Sequence, residues 1–290
     1  MKALTAWSSH LGNRSSNQDR CLVLEKPGRM LLAVADGMGG HARGDLAAEV
    51  AVQSLRRTFL AETGSIPEPR VFLKAALQKA HREVVCAGRS EHPPITPRTT
   101  CVVCLVQVDQ AWWAHVGDSR LYLLRSGTLV ARTRDHTPVE ELLQSGVIRE
   151  DELRSHPLRN SVSRCLGGMA RPPDISSDQA RLKPDDILLL CSDGLWSALP
   201  DQKLLAIPGY GDLDRSVRQL TAEAEAASYP QSDNISVVCL RWLSAGKPAT
   251  TATDPATSRR KTEKKTTDPV QQAKDDIHRA MLDYAAEMKK

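Results

Sequence analysis

Four aspartates stand where a carboxylate can do chemistry. Asp36 ends the apolar run Met30 to Ala35 and is followed by Gly37, Met38, Gly39 and Gly40. Asp118 sits in Val116-Gly117-Asp118-Ser119-Arg120. Asp193 follows the apolar run Ile187 to Cys191 and precedes Gly194, and Asp233 lies in Ser232-Asp233-Asn234 just before Ile235. One carboxylate beside a glycine is an ordinary turn residue. Four at the edges of apolar strands argue for a convergent acidic pocket, because the ends of packed strands lie close together. Like charges so gathered repel unless cations neutralise them. The Gly37 carbonyl adds an oxygen beside Asp36, and oxygen-only ligation suits Mg²⁺ or Mn²⁺ rather than structural zinc. Two such ions can hold a shared water, lower its pKa and aim it at phosphorus. Arg14 and Asp19 lie on the polar stretch Gly12 to Arg20. They read either as parts of a solvated turn or as an arginine poised for an oxyanion and an aspartate near a metal.

The elements that must position these residues follow from periodicity. Ala3 to Ser9 reads as an edge strand, and Cys21 to Leu24 and Met30 to Ala35 as further strands. The three glycines after Asp36 would let the backbone turn sharply at positive φ beside a ligand. Helical spacing runs over Asp45 to Leu60 and over Val71 to Val85, with Pro67 and Pro69 breaking the chain between them. From Thr99 the period becomes that of strands: Thr99 to Val108, Trp112 to Gly117, Arg120 to Arg125 and Thr128 to Arg132. The short turns between them predict successive antiparallel hairpins. Asp135 or Thr137 would cap a short helix over Val139 to Gln144, with Pro138 in its first turn. A second short helix is expected over Arg149 to Ser155, and the polar stretch 137–166 as a mobile flap. Asp186 to Cys191 and Ile235 to Trp242 are strands, and Pro200 to Ala206 and Asp212 to Ala227 helices.

Composition narrows the function. Aromatic content of 4% supplies few stacking platforms for single-stranded nucleic acid. Residues 245–290 carry 10 Lys and Arg against 7 Asp and Glu, so they hold +3 of the formal +4 and leave the body nearly neutral. A nucleic-acid-binding body is therefore not expected. No apolar leader and no run of 18 apolar residues is present, so a cytoplasmic protein without a membrane span is expected. The seven cysteines are scattered, mostly in apolar runs, as reduced buried thiols would be. Cys101 and Cys104 have zinc-knuckle spacing, but period-two geometry would turn them to opposite faces and no second pair completes a site. The composition shift after residue 243 reads as a disordered linker over 244–267. An amphipathic helix follows over 268–290, with Asp268 at its N-cap, Pro269 in its first turn and an Ile277, Met281, Tyr284 and Met288 stripe. That helix either packs back on the body or binds a partner.

The ordered set Arg14…Asn17-Gln18-Asp19, Asp36-Gly37-Met38-Gly39-Gly40-His41, Val116-Gly117-Asp118-Ser119-Arg120, Ser192-Asp193-Gly194-Leu195-Trp196 and Ser232-Asp233-Asn234-Ile235 resembles the PP2C (PPM) family of metal-dependent protein Ser/Thr phosphatases. The compact bacterial members are the most similar, with Met rather than His after Asp-Gly. The resemblance covers about residues 3–243 and implies an α+β fold, a four-layer α-β-β-α sandwich of two antiparallel sheets flanked by helices. It implies that Asp36 bridges two metals, that the Gly37 carbonyl binds the second, and that Asp193 and Asp233 ligate the first. Asp118 matches a third-metal position, and Asp19 would act near the second metal through water. Arg14 would bind the substrate phosphate. With Met38 in place of the usual His, His41 becomes the nearest imidazole for general acid or substrate contact. Arg98-Thr99-Thr100 stands where the family often has Gly-Thr-Thr, a departure expected to touch no predicted ligand. The implied activity is hydrolysis of phosphoserine and phosphothreonine in proteins, opposing a Hanks-type Ser/Thr kinase. The competing readings are a non-catalytic phosphoprotein-binding adaptor that uses the C-terminal helix and a two-metal phosphodiesterase or nuclease. The complete ligand set weighs against the first, and the neutral, aromatic-poor body against the second.

Overall fold

The computed structural model describes residues 1–38, 43–149, 152, 156–159, 161–168, 171–207 and 211–244. In chain order the strands and helices begin with β1 (Lys2–His10), β2 (Asp19–Lys26), β3 (Arg29–Asp36), α1 (Gly44–Ala61), α2 (Pro69–Ser90), β4 (Arg98–Thr99), β5 (Cys101–Gln107), β6 (Gln110–Val116), β7 (Arg120–Arg125) and β8 (Thr128–Arg132). They continue with α3 (Pro138–Gln144), β9 (Leu166–Gly167), β10 (Ser176–Arg181), β11 (Ile187–Cys191), α4 (Asp193–Trp196), α5 (Asp201–Leu205), α6 (Leu213–Ser228) and β12 (Ile235–Ser244). One five-stranded sheet has the order β1-β12-β11-β7-β8 and the other β10-β6-β5-β3-β2. Every strand pairing is antiparallel, including the short pair β4 and β9.

The long apolar runs are explained by three apolar clusters that separate four layers. Along β3, Leu31, Ala33 and Ala35 pack with α1 and α2, whereas Met30, Leu32 and Val34 face the opposite sheet. A strand covered on both faces has no polar side to alternate, so its sequence is apolar throughout. β11 and β12 behave alike: Leu189, Cys191, Val237 and Cys239 face the layer of α4 to α6, and Leu188, Leu190, Val238 and Leu240 face the first cluster's sheet. This is the expected α-β-β-α sandwich. Cys101 and Cys104 point into different clusters and are both free thiols, so they do not form a zinc knuckle. No described helix is long and apolar enough to cross a membrane.

Several expectations are corrected. Asp19 is the first residue of β2 rather than a loop residue. Pro69 does not break the chain ahead of the second helix but opens that helix, at the turn where a missing N–H costs nothing. β6 and β7 are not a hairpin: β6 belongs to one sheet and β7 to the other, so Gly117-Asp118-Ser119 crosses between sheets. β10 was not legible because its residues are mostly polar and part-exposed; pairing of Ser176–Arg181 with the β6 edge defines it. Ser192-Asp193-Gly194-Leu195-Trp196 enters a one-turn helix, α4. Thr137, not Asp135, caps α3, accepting from the Glu140 N–H at 3.2 Å. Most of the helix expected over 149–155, the linker beyond residue 244 and the C-terminal helix lie outside the described residues, as does the whole of the unit Pro248–Lys290, whereas the 137–166 stretch is described apart from residues 150, 151, 153–155 and 160.

Candidate functional site

All five strand-edge aspartates gather at one end of the sandwich. Register places Asp19 directly opposite Asp36 on the paired strands β2 and β3. Asp118 stands on the turn between sheets, Asp193 opens α4 after β11, and Asp233 precedes β12. Asp36, Asp118, Asp193 and Asp233 line one cavity of about 410 Å³ together with Arg14 and Gly37. A second, polar cavity of about 710 Å³ adjoins it, sharing Arg14, Asp193 and Asp233 and reaching Arg132, Trp196 and Arg159.

The backbone around Asp36 is fixed by Thr99 and Thr100. The Asp36 carbonyl accepts from the Thr99 hydroxyl at 2.8 Å and from the Thr100 N–H at 2.9 Å. The Asp36 N–H donates to Thr100 Oγ1 at 3.3 Å, and the Met38 N–H to the Arg98 carbonyl at 3.0 Å. The Arg98-Thr99-Thr100 segment therefore holds a predicted ligand, contrary to expectation. Gly37 is not at positive φ. Its need is space: a Cβ there would come within 2.3 Å of the Gly44 carbonyl oxygen and 2.8 Å of that of Gln18. Glycine is required because β3, β2 and the start of α1 meet at that point. His41, Gly39 and Gly40 lie outside the described residues.

Asp19 is buried, and Ser192 Oγ donates to its Oδ2 at 2.7 Å while also accepting from the Ser236 N–H at 2.9 Å. Asp19 Oδ1 has no hydrogen-bond partner, which is costly for a buried carboxylate oxygen. The Arg14 loop is tied to the start of β12. Asn234 Oδ1 accepts from the Gln18 N–H at 2.8 Å, and its Nδ2 donates to the carbonyls of Leu11 at 2.8 Å and Ser16 at 3.1 Å. Gly12, at φ +60°, passes so close that a Cβ would meet the Asp233 carbonyl oxygen at 2.2 Å. Arg14 grips Asp233 with two parallel bonds, Nε to Oδ1 at 2.8 Å and Nη2 to Oδ2 at 2.6 Å. That contact holds the guanidinium pKa up. Sequence reasoning missed Ser192, Asn234, Thr99 and Thr100, although each lies within or beside a motif that it singled out.

The electrostatics are those of crowded carboxylates. Burial first, then Asp19 and Asp193, hold the Asp36 carboxyl well above the usual range. Burial first, then Asp118 and Asp233, do the same for Asp193. Burial followed by Asp135 pushes Asp118 to about 7, and burial raises Asp19 to about 6. Among the described residues no three His, Cys, Asp or Glu side chains are set to clasp a single ion. An all-oxygen donor set, an orphaned buried carboxylate oxygen and raised carboxyl pKa values together fit divalent cations.

The family model described as protein phosphatase 2C matches residues 8–232. The serine/threonine phosphatase stp of Listeria welshimeri is 34% identical over 233 residues, which is 78% of this chain and 90% of that protein. The serine/threonine protein phosphatase PstP of Mycobacterium tuberculosis is 33% identical over 225 residues, 78% of this chain and 42% of PstP. The crystal structure of the latter's PstP/Ppp superposes with a TM-score of 0.74 at 30% identity, covering 83% of this chain and 99% of that one. A structure of the catalytic domain of PstP in complex with two manganese ions gives a TM-score of 0.71 at 29% identity, over 83% of this chain and 98% of that one. Fold, site geometry and these likenesses agree: the chain belongs to the protein phosphatase 2C family of serine/threonine phosphatases.

Proposed function

We propose that the chain removes phosphate from phosphoserine and phosphothreonine in proteins, in the cytoplasm, and opposes a Hanks-type Ser/Thr kinase. The observation that carries this reading is the convergence of Asp36, Asp118, Asp193 and Asp233 with Arg14 on one cavity. Phosphatases of this family are metal-dependent. Asp36 and the Gly37 carbonyl, with Asp193 and Asp233, would hold two Mn²⁺ or Mg²⁺ ions, Asp118 would serve a third, and Asp19 would act near the second through water. Bound there, the ions neutralise the carboxylates, polarise the phosphate and lower the pKa of the attacking water.

The chain's own residues supply the rest. Arg14 is exposed on one side and long enough to leave Asp233 for a phosphate, whose non-reacting oxygens suit its planar fork. Ser192 fixes the Asp19 carboxylate by one oxygen and leaves the other without a hydrogen-bond partner. Met38 carries no proton, so protonation of the departing serine or threonine oxygen falls to His41 or to water. The 710 Å³ cavity beside the centre offers room for the residues that flank the phosphorylated side chain. The body 1–243 would be the phosphatase domain, 244–267 its linker and 268–290 a C-terminal helix that offers a surface for a partner.

The test is hydrolysis of p-nitrophenyl phosphate and of a phosphothreonine peptide with Mn²⁺, with Mg²⁺, with EDTA, and by Asp193→Asn in Mn²⁺. Metal-dependent turnover that collapses in the variant is expected. No turnover by the intact chain with any divalent metal would overturn the proposal and return the adaptor reading.

A further inference from the structure

The Gly117-Asp118 turn carries a site carboxylate, yet it runs between two sheets and no strand ladder holds it. Two other devices do. On one side is His136. Its main-chain N–H donates to the Gly117 carbonyl at 3.0 Å, and its ring Nδ1 accepts from the Gly117 N–H at 3.2 Å. Because Nδ1 accepts, the ring proton is on Nε2, which donates to Ser176 Oγ at 2.8 Å. The ring is backed by His115, stacked at 4.5 Å between centroids and 17° between planes. On the other side is Trp196, whose Nε1–H donates to the Asp118 carbonyl at 2.9 Å. The indole is itself pinned, because the Arg120 guanidinium lies over it at 3.6 Å from the ring centroid. Arg120 is locked in turn by two bonds to Asp135, at 2.9 and 2.7 Å, and by one to Tyr122 Oη at 3.0 Å.

Both devices end on adjacent residues, Asp135 and His136, at the base of the 137–166 stretch. Their contacts reach the two main-chain groups of Gly117 and the carbonyl of Asp118, and leave the Asp118 carboxylate free to line the cavity. Helix capping explains Thr137 but neither of these two residues. We propose that Trp196 and His136 are positioning residues that clamp the Gly117-Asp118 turn and so set the place of the Asp118 carboxylate. The inference rests on the reading of Asp118 as a metal ligand given above.

The test is calorimetric titration of metal-free protein with Mn²⁺, for wild type, Trp196→Phe, Asp118→Asn and the double variant. Phenylalanine keeps a ring beneath Arg120 and removes only the donor. Losing one hydrogen bond predicts roughly 3- to 10-fold weaker binding at the weakest class of Mn²⁺ site. The metal-free melting temperature should change little, and raising Mn²⁺ should restore turnover. In the Asp118→Asn background Trp196→Phe should add nothing, since both changes act on one ligand. His136→Asn, measured the same way, should also weaken that class. Wild-type Mn²⁺ binding in Trp196→Phe, or an equal loss with and without Asp118, would overturn the clamp alone. A wild-type chain that binds no Mn²⁺ would overturn the metal reading and the clamp with it.

Discussion

Arg14→Gln should move two affinities in opposite directions. Arg14 occupies both carboxylate oxygens of Asp233, at 2.8 and 2.6 Å, and Oδ1 also accepts from the Asn234 N–H at 2.8 Å. An ion that takes Asp233 must compete with that guanidinium. The two side chains are 57% and 39% exposed, so the pair is solvent-screened. Its bidentate geometry puts it at the upper end of the exposed range, about 1 kcal/mol. That corresponds to roughly fivefold in affinity. Removing Arg14 also removes a positive charge from the approach, which acts in the same direction. Metal-free Arg14→Gln should therefore bind Mn²⁺ about 2- to 5-fold more tightly than wild type, by calorimetry.

The phosphate side goes the other way. A charged hydrogen-bonding partner is worth about 1.5 to 3 kcal/mol, so inhibition by inorganic phosphate should weaken by about 10- to 100-fold at saturating Mn²⁺. The two readouts separate a competing arginine from a merely structural one. Weaker or unchanged Mn²⁺ binding in Arg14→Gln would refute the competition. A parallel loss of both affinities would mean that Arg14 holds the site together.

Three further outcomes follow. Asp19 and Asp118 are raised to about 6 and about 7, and acids raised on folding lose their stabilising contribution as pH climbs from the ordinary carboxylate range to those values. Mn²⁺ replaces the lost protons, so the rise in melting temperature that it causes should be small at about pH 5 and grow toward pH 7.5; a rise independent of pH would contradict this. Asn234→Ala deletes three bonds that tie the Arg14 loop to β12. It should cost about 2 to 4 kcal/mol, seen as a melting point lower by roughly 5 to 15 °C, and should raise KM for p-nitrophenyl phosphate; an unchanged melting point would show that the loop is held by other contacts. Deleting residues 245–290 should leave p-nitrophenyl phosphate turnover intact and weaken action on one protein partner, and equal loss of both would point to a helix needed for folding.

What could be read from the sequence was what chemistry and double burial dictate. β3, β11 and β12 announce themselves because both faces meet apolar layers, and the aspartates at their edges stand out against those runs. Helices α1, α2 and α6 were legible within a few residues at their ends, from one apolar stripe each. The division of strands between sheets was not. A turn of three residues after β6 looks like a hairpin, and only the partners chosen by β7, namely β11 and β8, show otherwise. β10 carries no apolar period at all, because one edge pairing suffices to define it.

The frame that supports the aspartates was hidden for a different reason. A metal ligand must be a carboxylate, so its type betrays it, whereas a supporting residue needs only a donor or acceptor at the right point in space. Ser192 reaches Asp19 across 173 positions of sequence, and Asn234 meets Gln18 across 216. Neither spacing follows from any local period. Trp196 reads as an apolar residue after Gly194-Leu195, yet its indole N–H reaches back 78 positions to the Asp118 carbonyl. Thr100 shows the same asymmetry from inside a recognised strand. Its N–H and hydroxyl hold Asp36, its hydroxyl also meets Ser119 at 2.7 Å, and its side chain fills the space where a Gly117 Cβ would lie. One threonine thus couples the turn bearing Asp118 to the strand bearing Asp36. Substitutions at that position should therefore disturb both carboxylates together, although the residue bears no charge.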